Sequence, residues 1–220
     1  MNIPIIRETG VEADDIIATL SQQAEAENML ISIVSLDSDY YQLLSPKIRM
    51  LRMPTTPQDM RSGPYVKFTP FTDEDFREKY DIEPSKWTDV VALKGDSSDN
   101  IPGVAGIGVK SAFRLLEEWV SLDAVLAHVD DIQDTRSRNC LKKPGAVEAA
   151  LLSKELVLLR RDLRFPGLEV PLDTYLWRAP PADRMTQALK QLDALEMYRT
   201  RDRLVEAWTG FLGVKVPDAA

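Results

Sequence analysis

Seven of the 35 acidic residues of this chain fall in three tight clusters, Glu12/Asp14/Asp15, Asp37/Asp39 and Asp96/Asp99, and that grouping constrains the fold more than any other feature. Carboxylates held this close repel one another strongly unless cations sit among them. The clusters also reinterpret the net charge. Against 27 basic residues the chain carries −8, a balance that seems to argue against a nucleic-acid partner. Without the seven the counts are 28 and 27, or −1. If the seven converge on metal ions, the acidity describes an active site, and the remaining surface is nearly neutral with basic groups at Lys142/Lys143 and Arg160/Arg161/Arg164.

With 220 residues, 44% hydrophobic and 28% charged, the chain suits a soluble globular protein of one large or two small domains. Its longest apolar runs, such as Leu30 to Val34 and Leu156 to Leu159, fall far short of the roughly 18 to 20 residues that cross a bilayer. The start of the sequence has no basic-then-apolar leader. The single cysteine, Cys140, cannot form an internal disulfide, which fits a reducing compartment, so a cytoplasmic location is expected.

Hydrophobic patterning gives an α/β beginning and a helical continuation. Residues 12–27 carry an apolar stripe (Ala13, Ile16, Ile17, Leu20, Ala24) at helical spacing, with acids in the first turn where the helix dipole favours them. Leu30 to Leu36 reads as a buried strand, Tyr40 to Leu44 as a helical turn and Lys47 to Met53 as a second strand. This alternation predicts a parallel sheet flanked by helices. Residues 54–70, with four prolines and one glycine, read as a loop. Thr72 is a fitting N-cap for a helix to Tyr80, and Pro84 a first-turn proline for another ending near Lys94. Beyond Gly95 the expected helices are residues 109–120, 122–129, 147–161, 182–192 and 198–211, with only 168–172 extended. A soft boundary is expected near residue 95.

Each acidic cluster alone is ambiguous. Acids in a first helical turn are ordinary capping chemistry, and Asp37-Ser38-Asp39 could be a plain turn. The latter follows an apolar strand directly, however, and the ends of parallel strands are where open α/β sheets place their sites. Two decoys fail on counting. A calcium loop starting at Asp37 needs glycine at its sixth position and glutamate at its twelfth, where this chain has Gln42 and Ile48. A GxxxxGK[ST] phosphate loop is nearly spelled from Gly103, but Val109 separates Gly108 from Lys110.

The third cluster, in Gly95-Asp96-Ser97-Ser98-Asp99-Asn100-Ile101-Pro102-Gly103, runs straight into Val104-Ala105-Gly106-Ile107-Gly108-Val109-Lys110-Ser111. Here the sequence resembles the 5′-nuclease family: flap endonucleases, phage 5′–3′ exonucleases and the N-terminal nuclease domain of bacterial DNA polymerase I. The matching segments are GVEADDIIATL, DSDYYQLLS and LKGDSSDNIPGVAGIGVKSAFRLLEEW, in the family's order, with looser likeness to about residue 210. The resemblance implies a PIN-like α/β nuclease core over residues 1–94 and a helical region with a helix-hairpin-helix DNA-binding motif over 95–220. It implies a 5′–3′ exonuclease or structure-specific flap endonuclease acting on branched or 5′-ended DNA in replication or repair.

By the same resemblance, Glu12, Asp14 and Asp37 would serve one magnesium or manganese ion and Asp39, Asp96 and Asp99 a second, with Asp15 shared or in the outer shell. All-oxygen ligands are what magnesium prefers. Gly106, Ile107, Gly108, Val109, Lys110 and Ser111 would form the hairpin clamp, whose backbone N–H groups approach a phosphate at a helix N-terminus. Backbone oxygens of Leu93, Lys94, Pro102, Val104 and Ile107 match the positions that hold potassium in relatives. The four tryptophans read as core, His128 as a surface or packing residue in a helix, Cys140 as a free thiol with no histidine nearby in sequence, and the arginines at 160, 161 and 164 as a solvated helix face in preference to a DNA contact. A complete family member begins with an aspartate-bearing strand and a helical arch, so by the resemblance an N-terminal third is expected to be missing here, either because the sequence is a fragment or because a separate polypeptide supplies the rest. The competing reading is a non-catalytic DNA-junction binding module. Retention of all seven acids favours the nuclease.

Overall fold

The computed structural model describes residues 3–53, 68–211 and 213. The chain divides into two compact units, one of residues 10–53 and 68–164 and the other of residues 3–9 and 165–213. In the larger unit, helix α1 (Ala13–Ala26) leads to strand β1 (Ile31–Val34), a 3₁₀ turn (Ser38–Leu43), and strands β2 (Ile48–Arg52) and β3 (Thr69–Phe71). Helices α2 (Asp73–Tyr80), α3 (Trp87–Lys94), α4 (Val109–Trp119), α5 (Leu122–Ala127), α6 (Thr135–Leu141) and α7 (Ala146–Val157) follow. The smaller unit holds α8 (Ala182–Ala194) and α9 (Tyr198–Glu206), which pack around Met185, Leu189 and Trp208.

The sheet order is β1-β2-β3. β1 and β2 pair in parallel, Ile31 opposite Ile48 and Val34 opposite Leu51, as the helix-strand alternation predicted. β3 joins antiparallel, Met50 opposite Phe71, so the sheet is mixed, and its residues Thr69 and Pro70 correct the loop reading there; positions 54–67 lie outside the described residues. Pro70 is tolerated because β3 is an edge. Among the described residues β1 is the other edge. Only Ile33 of that strand is buried, whereas Leu30 is 84% exposed, Val34 56% and Leu36 50%, which corrects the expectation of a buried strand.

One hydrophobic cluster runs through the larger unit from Ala18 to Leu159. Its aromatic centre is Tyr41, Phe76, Tyr80 and Trp87, with Tyr41 edge-on to Trp87 at 5.1 Å and to Phe76 at 5.5 Å. Thr72 caps α2 as expected, its hydroxyl accepting from Asp75 N while Asp75 accepts from Thr72 N at 2.8 Å, a reciprocal capping box. Pro84 opens a short 3₁₀ turn (Pro84–Lys86) that feeds α3, all but one of whose eight residues are buried. Of the tryptophans, Trp87 and Trp208 are core, while Trp177 is 38% exposed.

Helix α7 ends at Val157, four residues before the expected end, because the chain beyond it is captured as a strap. Buried Gln42 donates from Nε2 to Val157 O at 2.9 Å and accepts from Leu159 N at 3.1 Å; Arg161 donates to Gln42 O at 2.8 Å. Thr19 adds a hydroxyl bond to Arg160 O. Arg160 and Arg161 thus lie on this strap and not on a helix face. Gln42→Leu is expected to cost about 2 to 4 kcal/mol, because Val157 O and Leu159 N lose their partners in a buried place. The denaturant midpoint should fall with an unchanged slope, and an unshifted midpoint would remove the strap from the list of stabilising features. Among the described residues no helix is long and apolar enough to cross a membrane.

Candidate active site

Glu12 is the N-cap of α1, with extended backbone and a side chain that makes no capping bond. The next two acids diverge. Asp14 Oδ1 accepts the hydroxyl of Tyr40 at 2.6 Å, whereas Asp15 Oδ1 accepts the backbone N–H of Arg160 at 2.8 Å, an engagement that fixes the strap to α1. Asp37 lies just beyond the end of β1 and caps the 3₁₀ turn, accepting from Asp39 N at 3.0 Å. Asp39 therefore projects from the first turn beyond the strand.

The electrostatics at Asp39 bring the clusters together. Its carboxyl is pushed up to about 6, first by burial and then by the charges of Asp37, Asp99, Asp96 and Asp14. Members of all three clusters act on one side chain. The Tyr40 phenol is raised as well, by burial, by its bond to Asp14 and by the same charges. Asp96 is held below the usual carboxylate range by the Ser98 hydroxyl and N–H and by Lys94, whose Nζ lies 3.5 Å away. Asp99 is exposed and receives a long bond from the Ser98 hydroxyl, 3.4 Å. Among the described residues, no three Asp, Glu, His or Cys side chains are arranged closely enough to hold an ion on their own. The clusters share a field rather than a formed coordination sphere. Their donor set is entirely carboxylate oxygen, which fits a hard divalent cation that keeps some of its waters. Cations there would relieve the repulsion that raises Asp39.

The acidic turn is built on α3. Gly95 ends that helix at φ +75°, Asp96 and Ile101 bridge through two backbone bonds of 2.9 and 2.8 Å, and Gly103 turns the chain at φ +58°. Val104 N then donates to Leu93 O and Ile107 N to Val104 O, both at 2.9 Å, so two of the carbonyls at the expected potassium positions each already accept an amide. Ile107 is buried and anchors the loop, while Gly106, Gly108, Val109 and Lys110 are exposed and Ser111 half-buried. Gly106 needs to be glycine: its φ is +98°, and a Cβ would lie 2.8 Å from Cys140 Sγ. Gly108 does not need to be for folding, since its φ is −100° and the space around a Cβ is open. It caps the eleven-residue helix α4 without a side-chain bond, so the first-turn N–H groups have no capping side chain.

Residues 1–81 match the model of the 5′-3′ exonuclease N-terminal resolvase-like domain, and residues 82–183 that of the 5′-3′ exonuclease C-terminal SAM fold. The chain belongs to the 5′-3′ exonuclease family. Among curated relatives, thermostable DNA polymerase I of Thermus filiformis is 39% identical over 184 residues, covering 84% of this chain and 20% of the relative. DNA polymerase I of Mycobacterium leprae is 36% identical over 222 residues, covering 99% of this chain and 22% of the relative. The chain thus spans about a fifth of the length of these relatives. In fold it is similar to the T5 D15 protein co-crystallised with metal ions, with a TM-score of 0.58 and 21% identity over 70% of this chain and 52% of the other. It is also similar to the bacteriophage T5 flap endonuclease in a pseudo-enzyme–product complex with DNA and metal ions, at a TM-score of 0.55 and 22% identity over 69% of this chain and 50% of the other. These matches agree with an α/β nuclease layer followed by helices.

Three features of the site had no signature in the sequence. Tyr40 appeared only as part of a helical turn, Gln42 only as a residue that spoils a calcium loop, and Asp15 as a metal-site acid rather than a backbone anchor. Their partners lie 26 to 145 residues away, beyond any local periodicity.

Proposed function

We propose that this chain carries out, or forms the larger part of, a divalent-metal-dependent 5′ nuclease that hydrolyses DNA phosphodiesters at 5′ ends or 5′ flaps in replication or repair. The observation that carries the reading is the convergence of charges from all three acidic clusters on Asp39. Residues 1–94 supply the nuclease core and 95–220 the region that holds DNA. Glu12, Asp14 and Asp37 would hold one magnesium or manganese ion and Asp39, Asp96 and Asp99 a second. When bound, such ions activate a water and neutralise the charge of the phosphodiester under in-line attack. Asp15, committed to Arg160 N, acts by keeping the first turn of α1 in place. The exposed edge and apolar side chains of β1 suit additional strands from a further polypeptide segment, which would extend the sheet beside the acids. The buried thiol of Cys140 accords with a cytoplasmic location.

The hairpin is the proposed duplex clamp. Backbone N–H groups at the start of α4, with Lys110 beside them, suit a phosphate, and backbone oxygens of Leu93, Lys94, Pro102, Val104 and Ile107 would hold potassium under it. Lys110→Ala should weaken binding of a nicked duplex about equally for all sequences and reduce the salt slope by about one. Gly108→Val should weaken it further while folding normally, because the open space in the free protein is where the phosphate backbone would approach. Salt titrations that leave both variants equal to wild type would place the DNA elsewhere.

The decisive experiment is cleavage of a labelled 5′-flap duplex with and without magnesium, by the chain alone and with a family-like N-terminal segment added in trans. Magnesium-dependent cleavage in either arm, lost in Asp37→Asn, is expected. No cleavage in both arms, with DNA binding intact, would overturn the nuclease reading.

A further inference from the structure

Tyr40 has two environments. Its ring belongs to the hydrophobic cluster and the residue is only 4% exposed, yet its hydroxyl leaves the core and donates to Asp14 Oδ1 at 2.6 Å. A phenylalanine would fill the same core volume. The hydroxyl is therefore not required for packing; it places one hydrogen bond on one carboxylate. Tyr40 follows Asp39 directly on the 3₁₀ turn, so the bond also ties the turn after β1 to the first turn of α1.

We propose that Tyr40 is a positioning residue that orients Asp14 and biases the site toward small divalent cations. The inference rests on the assignment of Asp14 as a metal ligand. Carboxylates that bind metals are held by hydrogen bonds from outer partners, and losing such a partner typically costs 10- to 100-fold in metal affinity. With the phenol proton on Oδ1, Asp14 presents Oδ2 as its free oxygen and is disfavoured as a bidentate ligand. Calcium uses bidentate carboxylates and 6 to 8 ligands at longer distances, whereas magnesium and manganese sites accept single carboxylate oxygens in octahedral geometry. The hydroxyl thus selects against the larger ion at the level of one ligand. Asp15, its Oδ1 engaged by Arg160 N, is likewise restrained.

The test is calorimetric titration of the full chain with Mn²⁺ alone and with Ca²⁺ alone, for wild type, Tyr40→Phe, Asp14→Asn, the double variant of these two, and Asp39→Asn. Tyr40→Phe should weaken Mn²⁺ about tenfold, weaken Ca²⁺ less or not at all, and have no further effect once Asp14 is replaced. A melting curve of each metal-free variant checks that the ring still packs. If Tyr40→Phe binds both ions as wild type does while Asp14→Asn is impaired, the positioning role is overturned and the metal assignment stands. If Asp14→Asn and Asp39→Asn leave Mn²⁺ affinity unchanged, the metal assignment falls and this inference falls with it. A Tyr40→Phe loss that is equal for both ions and persists in the Asp14→Asn background would reduce Tyr40 to a packing residue.

Discussion

Asp39→Asn is expected to stabilise the metal-free protein while removing the nuclease activity proposed above. In the folded chain the Asp39 carboxyl titrates at about 6, against 3.8 without the fold, because burial and the neighbouring carboxylates disfavour its charge. Between those two values the folded state holds more proton than the unfolded one, so stability falls as pH rises from about 4 to about 6 and stays low above that. The asparagine cannot ionise, so its stability curve should be flatter across this window. At pH 7.5 the gain should be about 1 to 2 kcal/mol, less than the full shift would give because solvent screens a half-exposed group. Magnesium should raise the melting temperature of wild type by binding the folded state and have much less effect on the variant. Cleavage should drop by at least ~100-fold, since even outer partners of metal ligands act on that scale. Melting curves at pH 4, 6 and 7.5, with and without magnesium, separate the effects. A variant that is less stable than wild type at pH 7.5 without metal would mean the carboxylates do not repel, and that the clusters do not share a field.

The opposite signs of those two effects explain why the site was partly legible before the fold was known. Three clusters of acids have no use as packing residues, yet each alone is also ordinary capping or turn chemistry, and it is the family resemblance carried by the segments around them, Gly95 to Ser111 above all, that implies the cations and the hairpin. Strand β1, the 3₁₀ turn after it and the caps at Thr72 and Pro84 follow from local chemistry and stand where expected. What local chemistry could not give is position across the fold. The run Leu30 to Leu36 has the composition of an interior strand, but exposure depends on which strands flank it, and among the described residues only β2 pairs with β1. Helix α6 escaped notice because its seven residues are mostly polar; the signal was Asp134, whose carboxylate accepts from Ser137 N as an N-cap. Residues 168–172 alternate like a strand, yet Pro166 precedes them, Pro171 lies among them, and the chain instead forms turns there.

Gly103→Ala should be the most destructive single methyl group in the larger unit. A Cβ there would sit 2.2 Å from Gly95 N, 2.6 Å from Gly95 Cα and 2.7 Å from Lys94 C, all backbone atoms that cannot swing aside. The residue also has φ +58°, a left-handed conformation that costs a β-carbon-bearing residue roughly 1 to 2 kcal/mol before any clash. Relief by moving the loop is blocked on the far side. Gly103 N donates to the buried Ser153 hydroxyl at 2.9 Å, and Ser153 in turn donates to Ala149 O at 2.6 Å, pinning the loop to α7. A loss above about 4 kcal/mol is expected, in the range reserved for broken backbone packing and strained turns. Gly108→Ala is the matched control, five residues along the same loop: open space and an ordinary φ should keep its stability within about 0.5 kcal/mol of wild type. The comparison also bears on function. Gly95 and Gly103 close the loop that carries Asp96 and Asp99, and the chain leading to α4 leaves directly from Gly103, so one backbone contact sets the acids and the amides at the start of α4 in a common frame. In urea, Gly103→Ala should unfold at a much lower midpoint than Gly108→Ala. Equal midpoints would show that the two glycine backbones do not touch in solution, and that the acidic turn and the hairpin are held in register by something other than this contact.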